Sequence, residues 1–469
     1  MRACILIIIA VAVIAHAEHD ACPHPETMTF PTDEDRHRHA QCAYQGNPCN
    51  HTLVGWEAAG YIFSVADEGA LHHVRCGARY DVTLSAVSVD GLPADSLEIV
   101  ARLVSLASEP ATVIGAEVGA PSFGGGNSVS WQISHAVAAS GCFALQVRIA
   151  WVAETYLGHS LPDTRVCFRG GACPRPVRMC SRADFLSRAV YEGRWVSPDA
   201  LDATTFYPHN FGFLYDECDF NRLVWAPLRC LLRSFDAAQT RRCAPRFGIG
   251  MGDSIPREQF TNMVQLLAGS DCFPLDGRLL SCGLGYCTHD PEYHVGGVDV
   301  VHVSDVRHAN ASVVLVALPA VRTLAGLDPG DERSLVDLAR TKLHECEALG
   351  NRTACLLFVG SAVHRPREDR MFAASLNGGA VRRLAAALRA MAAAEFPATP
   401  VVDAYALTHM RWYASWDGTH HSKSIDTFSH GHSGFSCQWQ GGVSRMVTFA
   451  FLNAACGANE RVGFGTKRS

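Results

Sequence analysis

The chain has 469 residues with a net charge of −6 and 18% charged side chains. That length accommodates two domains, each with its own core. The charge balance leaves no broad basic surface, which argues against nucleic acid as a partner. Twenty-two histidines can add positive charge in a mildly acidic compartment, and 19 cysteines make the redox environment the next question.

Residues 1–17 read as a secretory signal. Arg2 supplies the basic start, Cys4 to Ile14 are apolar, and Ala15-His16-Ala17 has the small-x-small form of a cleavage site. The stretch is short for a membrane span, with an uncleaved anchor as the alternative. No span is expected after cleavage, so the protein is expected to be secreted or lumenal. Removing Cys4 with the signal leaves 19 − 1 = 18 cysteines, an even number suited to disulfides in an oxidising compartment. Cys173 with Cys180, and Cys282 with Cys287, lack zinc-finger spacing. Sequons at Asn50, Asn310 and Asn351 fit the same compartment.

Residues 18–65, rich in His, Pro, Asp and Cys, read as an irregular, disulfide-tied lead-in. From 66 to 157 apolar residues alternate in short runs, including Tyr80 to Leu84, Val129 to Ile133 and Phe143 to Ile149. Gly91, Pro93 and Gly124-Gly125-Gly126 punctuate them. The pattern predicts an all-β immunoglobulin- or filamin-like sandwich, which offers a surface for a protein partner. Residues 158–190 read as a Cys- and Pro-rich linker, 191–457 as an α/β domain, and 458–469 as a flexible tail.

Within the α/β domain, strands are expected at 247–251, 298–303, 313–318, 354–359 and 400–403. Helices are expected at 257–268, 331–349, 379–396 and 441–455. This alternation predicts a parallel sheet covered on both faces, with ligands at the carboxyl ends of its strands. At one such end stands Gly252-Asp253-Ser254, between an apolar glycine-bearing run and an amphipathic helix. A serine there lies beside free backbone N–H groups and the positive end of a helix dipole, which can hold an oxyanion. Its hydroxyl needs a base, and Asp417-Gly418-Thr419-His420 places a histidine and a carboxylate on one loop. Trp412, Tyr413 and Trp416 precede them and suit a cleft wall or a sugar-stacking surface. Asp-Ser-x-Pro is also an ordinary helix start, with Ser254 as its cap and Pro256 in the first turn. His421, His430 and His432 cluster near His420. They read as a polar loop, and no metal or tightly bound cofactor is expected.

Gly252 through Gln259 resembles the nucleophile block of the PC-esterase branch of the GDSL/SGNH hydrolases. That branch includes plant trichome birefringence-like polysaccharide O-acetyltransferases, the lumenal domain of sialate O-acetyltransferase, and neurexophilin-and-PC-esterase proteins. Gly193-Arg194-Trp195-Val196, Cys218 and Trp225 to Cys230 resemble the stretch before that block. Val402-Asp403-Ala404 with Leu407-Thr408 resembles the approach to its Asp-x-x-His block. The resemblance implies an SGNH-like three-layer α/β/α domain after the sandwich. It also implies an O-acetyltransferase or O-acetylesterase acting on glycan or polysaccharide hydroxyls, with the acetyl donor unassigned. Ser254 would be the nucleophile, His420 the base and Asp417 its orienting carboxylate, with Gly252 and Asp253 shaping the turn. Arg257 matches an arginine of the plant enzymes; its alternative role is a surface ion pair. The oxyanion asparagine of ordinary SGNH hydrolases has no counterpart in Pro319-Ala320-Val321-Arg322. Gly296-Gly297 and Ser361 near His364 are the remaining candidates for oxyanion support. A different class stays open: a secreted binding protein with a degenerate hydrolase domain. Gly-x-Ser-x-Gly is absent around Ser254, which sets aside a nucleophile-elbow lipase or protease.

Overall fold

The computed structural model describes residues 57–196, 223–268, 292–364, 378–411 and 419–457, apart from shorter gaps within these ranges. The signal, the lead-in up to residue 56 with Asn50, and the tail 458–469 lie outside the described residues. So do Gly252, Trp412 to Gly418 with Asp417, and His430 and His432.

The chain is a mixed α/β protein. Its first half forms β1 (Glu57–Ala58), β2 (Tyr61–Val65), β3 (Leu71–His73), β4 (Arg79–Ser88) and β5 (Leu97–Ser105). Next come β6 (Thr112–Val118), β7 (Ser122–Phe123), β8 (Ser128–Ala136), β9 (Gly141–Val152), β10 (Thr155–Ser160) and β11 (Thr164–Arg169). After a short helix α1 (Arg182–Leu186) follow β12 (Gly193–Val196) and β13 (Val224–Pro227). They join in one 13-stranded sheet with the main order β1-β2-β4-β8-β6-β5-β9-β11-β3. Pairing is antiparallel except between β11 and β3. Alternation explains the strands: Tyr80, Val82, Leu84 and Ala86 of β4 point into one core with Val129, Trp131 and Ile133 of β8. β5 departs from alternation because both of its faces are covered, so Glu98 and Arg102 are buried along with Leu97, Ile99 and Leu103.

Three boundaries differ from expectation. β1 and β2 lie inside the stretch read as an irregular lead-in, while β10 runs into the stretch read as a linker and β11 lies within it. Thr164, Val166 and Phe168 alternate inward there, and Cys167 is bonded to its ladder neighbour Cys142. β12 and β13, assigned to the α/β domain, extend the first sheet through β6, while Trp195 and Trp225 pack into the second core.

The second half contains α2 (Ala237–Cys243), β14 (Arg246–Gly250), α3 (Ser254–Ala268), β15 (Glu292–Val295), β16 (Val298–Val303) and β17 (Val313–Val316). It continues through α4 (Ala320–Leu324), α5 (Glu332–Glu347), β18 (Ala354–Val359), α6 (Gly378–Glu395), β19 (Val401–Asp403) and α7 (Ala404–Thr408). A hairpin of β20 (Lys423–Ile425) and β21 (Cys437–Trp439) precedes α8 (Gly442–Cys456). The six-stranded sheet has the order β15-β16-β14-β17-β18-β19 and is parallel apart from its antiparallel edge strand β15. Near-continuous burial of Val313 to Val316 and Cys355 to Val359 fits strands covered on both sides. α2, α3 and α8 pack on one another, as do α4, α5 and α6. Capping boxes start α2 at Asp236 and α5 at Asp331.

The two halves meet across β5, β6, β9 and α6. Glu98 of β5 pairs with Arg382 of α6 at 3.0 Å. Arg102 Nη1 donates to Met410 O (3.4 Å), and His409 Nε2 lies 3.1 Å from Ala116 O. Arg411 sits over the Trp195 ring, 4.5 Å from its centre. Away from this junction, Cys180–Cys230, Cys346–Cys355 and Cys243–Cys456 are disulfides, the last joining α2 to α8 across 213 residues. Cys180 thus pairs away from Cys173. Among the described residues no helix is long and apolar enough to cross a membrane.

Candidate active site

Ser254 starts α3 immediately beyond the carboxyl end of β14, a strand in the interior of the parallel sheet. The strand order reverses across β14: its two neighbours are β16 and β17, and the chain reaches β17 only after β16. Crevices at such reversals are the usual ligand positions of open α/β sheets. The glycines of β14 let the neighbours close in. A Cβ on Gly248 would lie 2.8 Å from Val303 Cγ2, and one on Gly250 would lie 3.0 Å from Ala317 N. The helix begins three residues before the expected position 257, with Ser254 as its first residue.

Asp253 braces the turn. Its Oδ1 accepts from Ile255 N–H at 3.0 Å, and its Oδ2 accepts from Val321 N–H at 2.8 Å. The second bond ties the end of β14 to α4, which follows β17. Val321 is therefore where the missing asparagine was sought, and its backbone contributes by holding Asp253. Burial pushes the Asp253 carboxyl up to about 6, against the opposing pull of those two N–H donors and of the charges on His420 and Arg257. His420 and Arg257 therefore both lie within electrostatic reach of this carboxyl. Arg257, one turn into α3, is partly buried, which sets it apart from a freely solvated surface cation.

The adjacent histidines diverge. His420 is buried, 8% exposed, and acts on Asp253. His421, also buried, packs edge-on against His364 with ring centres 5.6 Å apart. His364 Nε2 in turn lies 3.0 Å from Thr408 O, and burial holds its imidazole well below the usual range, with His421 and Arg148 adding to the shift. Among the described residues no group of three or more His, Cys, Asp or Glu could hold a metal ion.

Of the oxyanion candidates, Gly296 and Gly297 form the turn between β15 and β16, with φ of +59° and +81°. Val298 opens β16 at the end of the sheet where Arg246 begins β14, whereas Ser254 follows the opposite end. That separation removes the pair as oxyanion donors. Ser361 is buried in the recess beside Asp253. Asp403, within the block resembling the family's approach segment, is an ion-pair node: Arg188 (2.9 Å) and Arg389 (2.8 Å) hold its buried carboxylate.

The recess was not anticipated. Asp253, Ile255 and Pro256 form one wall, Leu318 with the start of α4 and the end of β18 another, and the α6 side chains Val381, Leu384, Ala385 and Leu388 the base. Its space amounts to about 470 Å³ when the open solvent in front of it is counted in. Spacing along α6 was visible in the sequence, but apolar residues at helical period mark a packed face equally well. Asn310 is exposed with φ of 39° just before β17, and Asn351 lies in a 3-10 turn.

No family model matches the chain, and no curated protein matches it.

Proposed function

We propose that the chain is a secretory-pathway serine acyl-transfer enzyme, an O-acetylesterase or O-acetyltransferase acting on glycan hydroxyls. The observation that carries this reading is that a buried His420 lies within electrostatic reach of Asp253, the residue before Ser254. Ser254 and His420 are 166 positions apart by 420 − 254, and this electrostatic link supports their acting at one site. The six-stranded order and the two helix groups are consistent with an SGNH-like three-layer domain. The antiparallel strands before it are consistent with an immunoglobulin-like sandwich. The disulfides fit an oxidising, secreted or lumenal setting.

In the reaction, Ser254 Oγ attacks the ester carbonyl as His420 takes its proton. The carbonyl oxygen becomes an oxyanion facing the start of α3, where the Ser254 N–H and Arg257 provide positive potential. Collapse breaks the bond to the sugar oxygen, which leaves with the proton from His420, and acetyl-Ser254 remains. Water then yields acetate, or a second sugar hydroxyl yields the transferred ester; each gives its proton to His420 and regenerates Ser254. The Asp417 carboxylate orients the imidazole in this scheme, as the resemblance implies.

The test is acetate release or transfer on acetylated and unacetylated glycans, followed by mass spectrometry with labelling by a fluorophosphonate. Ser254→Ala is expected to lose at least about a thousandfold and all labelling. His420→Ala is expected to lose at least about a hundredfold, with His421→Ala far milder. Equal losses at 420 and 421 would refute the assignment of the base. The absence of an asparagine side chain at Pro319-Ala320-Val321 favours a second reading, a binding protein with a degenerate hydrolase domain. Folded protein that resists labelling at Ser254 would select that reading.

A further inference from the structure

We infer that the recess beside Ser254 is an acyl-chain site, and that the enzyme accepts ester acyl groups longer than acetyl. This rests on the proposed serine chemistry and specifies its substrate. The residues on either side of the proposed nucleophile, Asp253 and Ile255, line the recess, which puts it next to Ser254. Apart from Asp253 and Ser361 its side chains are hydrocarbon, among them Leu318, Phe358, Val381, Leu384 and Leu388. A sugar ring would leave most of its hydroxyls without partners on these side chains. An alkyl chain matches their chemistry.

Gly360 supplies an independent observation. A Cβ built there meets nothing within 4 Å among the described residues, and its backbone lies outside the left-handed region. Gly360 lines the recess just after β18, and as a glycine it puts no side chain into that space. A side chain introduced there starts in unoccupied space and costs the backbone no strain.

The experiment uses the full chain with p-nitrophenyl acetate, butyrate and hexanoate, with Ser254→Ala measured in parallel. The Ser254-dependent kcat/KM is expected to rise roughly fourfold per methylene, about fifteenfold from acetate to butyrate. Gly360→Leu just after β18 and Ala385→Leu at the base should each pull the butyrate-to-acetate ratio back towards one. Two variants on separate elements guard against one failing to fold. If acetate is the best Ser254-dependent substrate, the acyl-chain site is overturned and the serine chemistry stands. A rising series that neither variant changes overturns the location of the chain. If no ester shows Ser254-dependent turnover, the proposed function and the acyl-chain site fall together.

Discussion

Replacing Glu98 with glutamine is expected to change how stability depends on pH. Glu98 lies on β5 at 4% exposure and pairs with Arg382 across the junction of the two halves. Burial raises its carboxyl from 4.5 to about 7, and the charges of Arg382 and Arg383 offset only part of the cost. In the unfolded chain the carboxyl ionises near 4.5, while the folded protein holds its proton to about 7. Folding therefore retains a proton between those values, so the Glu98 contribution weakens as pH rises through this window and stays constant above it. At about 1.4 kcal/mol per pH unit the full span is worth about 3 kcal/mol. Between pH 5 and 8 this leaves about 2 to 3 kcal/mol.

The histidines around Glu98 act across part of the same window with the opposite sign, since their contribution is lost as pH falls below about 6.5. Arg148, Tyr405, His409 and His364 share a small cavity with it. Burial holds both imidazoles below their usual range and pushes the Tyr405 phenol upward. Elsewhere, buried His135 is pushed down to about 4, and its contribution is lost as pH falls from about 6.5 towards that value. Subtracting the Glu98→Gln profile removes such terms. The assay is urea unfolding of both proteins at pH 5, 6, 7 and 8, with the difference in free energy read at each pH. Glu98→Gln should gain about 2 to 3 kcal/mol relative to the parent from the first to the last. A difference that is flat across the series refutes the buried, proton-retaining carboxyl.

Asp253→Ala removes the acceptor of both Val321 N–H and Ile255 N–H, and is expected to cost about 2 kcal/mol in urea unfolding and to slow fluorophosphonate labelling of Ser254. Unchanged stability together with unchanged labelling would show that the brace does not position the turn. Gly115→Val places a Cβ 2.3 Å from Met410 Cε and 3.2 Å from His409 Nε2, so a loss of about 1 to 3 kcal/mol is expected. Adding Met410→Ala should restore part of it in a double-mutant cycle, and strict additivity would refute the contact. Asn310→Gln should lose one N-glycan from protein secreted by eukaryotic cells, seen as a mobility shift that endoglycosidase abolishes in the parent.

The parallel strands were legible because strands covered on both faces are continuous apolar runs, as in Val313 to Val316 and Ala354 to Val359. β15 was not, since Glu292-Tyr293-His294-Val295 is a polar edge whose role is to pair with β16. Its Gly-Gly turn was visible, but position along the sheet, which separates a hairpin turn from an oxyanion donor, comes only with folding. β10 and β11 were hidden by the Pro, Gly and Cys density around them. Their inward alternation is short, and the Cys142–Cys167 bond that fixes them has no local signature. At the candidate site, the sequence singles out Ser254 and His420 by chemistry and spacing alone. It does not show the brace from Asp253 to Val321, because a backbone N–H leaves no trace in residue identity.

The first sheet also bears on the residues that follow α7. His409, Met410 and Arg411 are held by it one after another. His409 meets Ala116 O, Met410 O accepts from Arg102, and Arg411 stacks on Trp195. Gly115 adds that only a residue without a Cβ lets Met410 pack against β6 undisturbed. On the other side, Asp253 fixes Ser254 against α4 within the parallel sheet. Asp253 and Ser254 are thus held by the second core, and His409 to Arg411 by the first. If Ser254 and His420 act as proposed, relative movement of the two halves would change the distance between them. The same junction carries Glu98, Arg382 and the α6 helix at the base of the recess beside Asp253. A substitution in β5 or β6 is therefore expected to alter turnover and chain-length preference together, although it lies on a different sheet from Ser254.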